Sequence, residues 1–299
     1  MPRAMQYVDL HCHSTASDGT LPPAEVVALA ARSRLSALSL TDHDTIAGIP
    51  EAAGAAEKAG IHFLPGIEIS CEVPRPATMH LLGYGVDPGS RVLHDLTRRL
   101  VSARDERNPK IIRRLNDLGV AITMPGIEAE AGGDVVGRPH IAAVLHRKGY
   151  VSSIKQAFDK YLGQGGAAYF DKERLTPRQA IEMVHESGGL PVLAHPVQLR
   201  TQNDAQLERI VKDLKDLGLV GLEVIHSDHD NVLVEKYTKL AERFGLLKSG
   251  GSDFHGTNKK DIDLGTAHGR RIPKEWFDKL VARLKEQSRA VSRAGSVPE

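Results

Sequence analysis

The sequence predicts an α/β protein whose βα units are interrupted by a long helical stretch. Three observations carry this. Over the first 85 residues, short apolar runs alternate with Ala-rich helical patterns, which signals strands of a parallel sheet joined through helices. In the middle, charges such as Asp95, Arg98, Arg99, Arg104, Asp105, Glu106 and Arg107 crowd a helical pattern that no good strand interrupts. After residue 173 the alternation returns. With 299 residues and 41% hydrophobic content, the chain can bury a large core.

The elements follow in order. Residues 7–10 read as a strand, and 22–33 as a helix opened by prolines, which cost no hydrogen bond in a first turn. A strand at 35–40 precedes a helix over 46–59 that Gly60 closes, and strands follow near 61–64, 67–72 and 79–84. Helices are predicted at 90–118, 139–148 and 154–161. The return comprises a helix at 177–187, a strand at 190–194, a helix at 204–217 and a strand at 220–224. A helix at 232–244, a strand at 246–249 and a helix at 273–286 complete it, and 287–299 reads as a disordered tail.

Charge and composition narrow the function. Thirty-nine basic residues face 38 acidic ones, a net charge of +1, which excludes a polybasic nucleic-acid or membrane-surface protein as the default. No run approaches the 18 or so apolar residues of a membrane span, and residues 1–10 lack an apolar signal-peptide core. Two cysteines, Cys12 and Cys71, make no disulfide framework and read as small buried apolar residues. A soluble protein of a reducing compartment, the cytoplasm, is expected. Histidine is the unusual residue: 14 outnumber the 13 Phe, Tyr and Trp together, which directs attention to metal or acid/base chemistry.

Several of these histidines stand at predicted strand ends, where α/β sheets and barrels carry their sites. His11 and His13 flank Cys12 and project to one side if the strand continues. Asp18 follows in a loop, then His43 after the second strand, Glu68, His80, His195, and the D-x-H pair Asp253 and His255. A lone strand-end histidine is usually structural. Six histidines, two aspartates and a glutamate so placed would carry severe desolvation costs unless they shared an ion, and imidazole with carboxylate suits Zn, Mn or Fe.

The segments Asp9-Leu10-His11-Cys12-His13-Ser14, Ser17-Asp18-Gly19, Leu40-Thr41-Asp42-His43-Asp44, Pro65-Gly66-Ile67-Glu68-Ile69-Ser70, Met79-His80-Leu81-Leu82-Gly83-Tyr84, Ala194-His195-Pro196 and Ser249-Gly250-Gly251-Ser252-Asp253-Phe254-His255 resemble the motifs of the polymerase-and-histidinol-phosphatase (PHP) family. They run in order over nearly the whole chain. The resemblance implies a distorted (β/α)7 barrel in two parts, 1–87 and 174–286, with a substrate-capping helical insertion at 88–173 and the tail at 287–299. It also implies three divalent ions, Mn2+ first and Zn2+ or Fe2+ next. His11, His13, Glu68 and Asp253 would hold one; Glu68 would bridge to a second held by His80 and His195; Asp18, His43 and His255 would hold the third. The implied reaction is phosphoester hydrolysis by a metal-bound hydroxide.

The insertion is expected to select the substrate. Arg138 and His140, in Gly137-Arg138-Pro139-His140, can offer a guanidinium and a helix N-terminus to phosphate, and they resemble the R-x-H segment of the family's nucleotide-acting branch. His195 counts as catalytic as well as ligating, and His229 as catalytic and substrate-binding. Lys172 reads as solvated despite its place near the end of the insertion, and Lys259-Lys260 as a solvated face. His226 is left to ordinary structure. The expected partner is a small phosphorylated nucleotide, such as a 3′,5′-nucleoside bisphosphate, or a short oligonucleotide, without long nucleic acid or membrane. The alternatives are a 5′-to-3′ exoribonuclease on short RNA, a histidinol-phosphate phosphatase, and a non-catalytic metal-binding module.

Overall fold

A computed structural model describes residues 6–74, 77–131 and 135–294, with side chains to 290. Strand β1 (Tyr7–Cys12) is buried beyond its first residue. Helix α1 (Pro23–Arg32) follows, then β2 (Ala37–Leu40), α2 (Ile49–Ala59), the two-residue β3 (His62–Phe63), β4 (Gly66–Cys71) and β5 (Met79–Tyr84). After the helical segment come α7 (Pro177–Glu186), β6 (Leu190–Leu193), α8 (Asp204–Asp216), β7 (Gly221–Ile225), α9 (Asn231–Phe244), β8 (Leu247–Gly250), β9 (Ile272–Pro273) and α10 (Lys274–Ala294). Among the described residues no helix is long and apolar enough to cross a membrane.

The strands form two sheets, ordered β3-β2-β1-β9 and β4-β5-β6-β7-β8. Backbone seams join them at one end. On one side the N–H of Asp253 donates to His11 (2.7 Å) and that of His13 to Phe254 (2.9 Å); on the other, Asp44 donates to Glu68 (2.8 Å) and Glu68 to Asp42 (3.2 Å). Apart from the short β3 and β9, seven strands therefore ring one interior, the distorted barrel expected. Side chains cross that interior: the Tyr84 hydroxyl of β5 meets Ser249 of β8 at 2.7 Å, and His11 of β1 meets Glu223 of β7 at 2.9 Å. One strand departs from the parallel expectation. β5 pairs antiparallel with both β4 and β6, so its start lies beside its neighbours' ends, and that brings His80 to the mouth.

Period-two alternation sorts the faces of β1. Val8, Leu10 and Cys12 join apolar clusters, while Asp9, His11 and His13 share the other face. Outside, helices such as α7 lay buried Ala180, Ile181, Met183 and Val184 on the strands. Each large apolar side chain so buried contributes about 1.5–3 kcal/mol. A reciprocal Thr176–Gln179 capping box starts α7 and adds about 1 kcal/mol.

Between β5 and α7 lie α3 (Arg91–Asp117), α4 (Met124–Ala131), α5 (Arg138–Arg147), α6 (Ile154–Ala157) and a π-helical turn, Phe158–Leu162. Helix α3 links two cores: Leu93 and Leu100 pack with the barrel, Ile111 and Leu115 with a second cluster that runs to Ala168. Some expectations need correction. The helix predicted over 154–161 is a short α-helix followed by the π-turn, and α4 was not predicted. Residues 287–294 are helical rather than tail, since α10 continues to Ala294; residues 295–299 lie outside the described part.

Candidate metal centre

All nine predicted ligands converge at the mouth, on the seams that close the barrel. The Glu68 carboxylate is the hub. Its Oε2 lies 3.3 Å from His11 Nε2, 3.2 Å from His13 Nε2 and 3.0 Å from His43 Nδ1, while Oε1 lies 2.7 Å from His80 Nδ1 and 2.8 Å from His195 Nε2. Asp253 Oδ1 approaches His11 Nε2 at 3.6 Å and His13 Nε2 at 3.3 Å. Asp18 meets His255 Nε2 at 3.2 Å and His43 Nε2 at 3.9 Å.

The backbone contributes through uncommon conformations. Asp44, His195 and Asp253 hold φ of 58°, 23° and 57°, a region that L-residues occupy only when the surroundings impose it. All three stand at strand ends that face the mouth.

Electrostatics bind the cluster together. Burial alone would push the Glu68 carboxyl up, but His43, His80 and His11 outweigh it and hold it well below its ordinary range. Burial also opposes charge on His43, yet Glu68 and Asp18 lift it to about 9, whereas His13 and His80 fall to about 4, chiefly through desolvation. Behind them Glu223, lowered to about 2 because His11 and His226 overcome its burial, receives His11 Nδ1–H on Oε1 and the His195 backbone N–H on Oε2 (2.7 Å).

The donor set fits divalent cations. His11 Nε2, His13 Nε2, His43 Nδ1, His195 Nδ1 and Glu68 Oε2 are buried without a hydrogen-bond partner, and such atoms are costly unless something else satisfies them. Four groupings bring ligand atoms within 4.8 Å of one another: His13, Asp18, His43 and His255; His11, Glu68 and His195; His43, Glu68 and His80; and His11, His226 and Asp253. The first contains the predicted third set, and Glu68 shares the next two, as a bridging carboxylate would. His195 groups with His11 and Glu68, and its Nε2 also lies 3.2 Å from His80 Nδ1, with both nitrogens on Glu68 Oε1, as the expected second set requires; His226 joins although the sequence left it to ordinary structure.

A cavity of about 300 Å³ opens above the cluster, lined by Asp18, His43, Glu68, His80, His195 and Asp253 on one side and by Pro139, Ile154 and Phe158 of the helical segment on the other. The expected substrate residues stand apart from its wall. His140 is buried, its Nδ1 accepts the Gly137 N–H (3.0 Å), and its Nε2 is unpartnered. Arg138 donates to the Leu162 carbonyl (3.0 Å) and packs over Tyr169. His229 is fully buried behind His226, with Nδ1 on the Val224 carbonyl (2.9 Å).

Two lysines contradict the solvated reading. Lys172 is buried on Asp44, and Lys259 pairs with Asp253. Sequence reasoning also missed Glu223 and Asp9 as supports. Asp9 accepts the N–H groups of His11, Ser252 and Gly265. A carboxylate inside an otherwise apolar strand, as in Gly221-Leu222-Glu223-Val224-Ile225, was the signal for Glu223.

Fold and donor cluster together define a metal-dependent hydrolase built on a strand barrel. The chain belongs to the PHP family: residues 9–175 match the PHP domain. It is 36% identical to a 5′-3′ exoribonuclease of Haemophilus influenzae, over 83% of this chain and 89% of that one. It is 34% identical to a 3′,5′-nucleoside bisphosphate phosphatase of Chromobacterium violaceum, over 90% and 93%. A solved structure from Chromobacterium violaceum, described as an amidohydrolase with bound sulfate and no metal, superposes with a TM-score of 0.83 at 33% identity, covering 93% of this chain and 96% of that one.

Proposed function

We propose that this protein hydrolyses a phosphate ester of a small nucleotide, with a 3′,5′-nucleoside bisphosphate as the favoured substrate. The observation that carries the reading is the Glu68 hub, a buried carboxylate that meets five imidazole nitrogens beneath an open cavity. The similarity to the bisphosphate phosphatase supports the substrate class. Three divalent ions are proposed, manganese first and zinc or iron next, held by His11, His13, Asp18, His43, Glu68, His80, His195, Asp253 and His255. When bound, they lower the pKa of water and neutralise phosphoryl charge.

The chain's own groups do the rest. Glu223 fixes His11 with its proton on Nδ1 and leaves Nε2 a free lone pair. His195, on the cavity wall, turns Nε2 to Glu68 and leaves its buried Nδ1 without a hydrogen-bond partner, so it is taken as catalytic as well as ligating. The Gly137 N–H occupies Nδ1 of His140, so its proton sits on Nε2 and makes that nitrogen a donor for phosphate. His229 takes part only through His226, against which it packs. Pro139, Ile154 and Phe158 offer an apolar wall to a nucleobase. Residues 88–173 are taken as the capping subdomain between barrel parts 1–87 and 174–286. Two buried free thiols suit the cytoplasm.

The second reading, removal of 5′ nucleotides from short RNA, draws on the similarity to the exoribonuclease. A phosphate-release screen over nucleoside monophosphates, bisphosphates and short 5′-phosphorylated RNAs with Mn2+ decides between them. Preferred release from bisphosphates supports the first reading; preferred shortening of RNA supports the second. Absence of turnover with every substrate overturns both.

A further inference from the structure

Asp18, Glu68 and Asp253 place three carboxylates on the cavity wall, and among the described residues that line it Lys259 is the only lysine or arginine. A phosphate that enters meets this cation. Its ammonium donates to Oδ2 of Asp253, the oxygen that His226 Nε2 also approaches at 3.2 Å. The other oxygen, Oδ1, is the one gathered with His11 Nε2 and His13 Nε2, at 3.6 and 3.3 Å. Lys259 therefore holds Asp253 from the side that the ligand cluster leaves free. An ammonium carries three N–H donors, and Asp253 is the one hydrogen-bond acceptor that Lys259 has among the described residues. The other donors are unspent on a side chain that is 38% exposed and lines the cavity.

The turn that carries the lysine, Gly256–Lys259, is fastened to the rim of the mouth. Gly256 holds φ of 65°, and a Cβ there would stand 2.0 Å from Thr20 Oγ1. That hydroxyl accepts the Thr257 N–H at 2.9 Å, and the Asn258 side-chain amide donates to the Asp18 carbonyl at 2.8 Å. The backbone is thus tied to the loop that supplies Asp18, while the flexible lysine stem lets the ammonium adjust to a ligand.

We infer that Lys259 is a catalytic residue of the proposed phosphoesterase, a reading on which this inference rests: its ammonium contacts a non-bridging oxygen of the phosphoryl group under attack, with Asp253 as its anchor. In phosphoryl transfer the charge is spread over those oxygens, and a cation already in place stabilises it as it develops. Lysine acts there as a point charge rather than a planar fork, so it follows the oxygens without demanding one orientation. Every phosphate ester presents the same reacting group. Lys259 therefore serves turnover in general and leaves the choice among nucleotides to other residues.

The test compares wild type, Lys259→Met and Lys259→Arg, each loaded with manganese. Calorimetric titration with inorganic phosphate needs no turnover; it is expected to show affinity weakened by about tenfold or more in Lys259→Met, the loss of one charge-assisted hydrogen bond, and partly recovered in Lys259→Arg. Manganese content is expected to match wild type. Values of kcat/KM should fall by about tenfold or more for adenosine 3′,5′-bisphosphate and for p-nitrophenyl phosphate alike. Unchanged phosphate affinity overturns the inference. So does loss of manganese in step with activity, which would make Lys259 a support of Asp253 alone, and so does a fall confined to the bisphosphate. Should Lys259→Met fail to fold, Lys259→Gln takes its place in the same measurements. Wild type that binds phosphate through Lys259 yet turns over neither ester defeats the phosphoesterase reading and leaves the phosphate contact standing.

Discussion

An imidazole serves as ligand or as donor according to what holds its second nitrogen. Glu223 takes Nδ1–H of His11, and the Asp253 carbonyl takes that of His255, so both present Nε2 lone pairs to the cluster. His226 is reversed: the Asp228 N–H occupies its Nδ1 at 3.0 Å, which leaves the proton on Nε2, buried 3.2 Å from Asp253 Oδ2 but without a hydrogen bond to it. His226 therefore turns a proton rather than a lone pair towards the Asp253 carboxylate. Long-range ¹H–¹⁵N spectra of the zinc-loaded protein should show its proton on Nε2, and a bare Nε2 would make it a ligand instead. His226→Ala should weaken metal affinity about 10–100-fold, with His226→Gln milder.

Glu223 gives a pH prediction at the same scale. Its folded-state value of about 2 lies below the ordinary 4.5, so its stabilisation is complete above pH 4.5 and is lost as pH falls through 2. Glu223→Gln should lose about 3 kcal/mol at neutral pH and show a flatter decline between pH 4.5 and 2 in denaturant titrations. A parallel decline would contradict the assignment. None of this orientation was legible beforehand, because a tautomer depends on partners such as Glu223, far along the chain from His11. The ligands themselves were legible because they gather in or beside short apolar strands, His11 and Glu68 within β1 and β4, His80 at the start of β5, and His195 just past β6.

At the scale of elements, the strand ends are both seam and site. The segment after β8 pairs with β1 through His11, His13, Asp253 and Phe254, which requires the backbones to approach closely at Gly251. A Cβ there would stand 2.3 Å from both Cβ and N of His11. Gly251→Ala should cost about 1–3 kcal/mol and release metal together with stability, as read by unfolding and metal analysis. An unperturbed variant would show that the seam does not position His11. Strand positions were readable from apolar runs, whereas the direction of β5 was not, since alternation is the same either way along a strand. The burial of Lys172 was equally hidden: Asp44, which binds it, lies across the fold in a different segment.

Across the whole molecule, a net charge of +1 conceals strong local separation. Carboxylates and imidazoles crowd the mouth, and the helical segment sets Arg104, Arg107 and Arg138 beside it. Arg138→Ala should raise KM for nucleotide bisphosphates far more than for an aryl phosphate; equal effects on the two would remove it from recognition. The apolar pattern of the insertion revealed its helices but not which cations they would turn inward, because that depends on packing between α3, α5 and the barrel. Glu68 is the proposed shared ligand of a multinuclear centre that hydrolyses nucleotide phosphate. Metal content and phosphate release should therefore be measured together on wild type and Glu68→Gln. More than one equivalent of divalent metal should leave with this single substitution, and phosphate release should fall more than about a hundredfold. A variant that keeps its metal and its turnover, or wild type that stays fully active after chelation, would contradict the account.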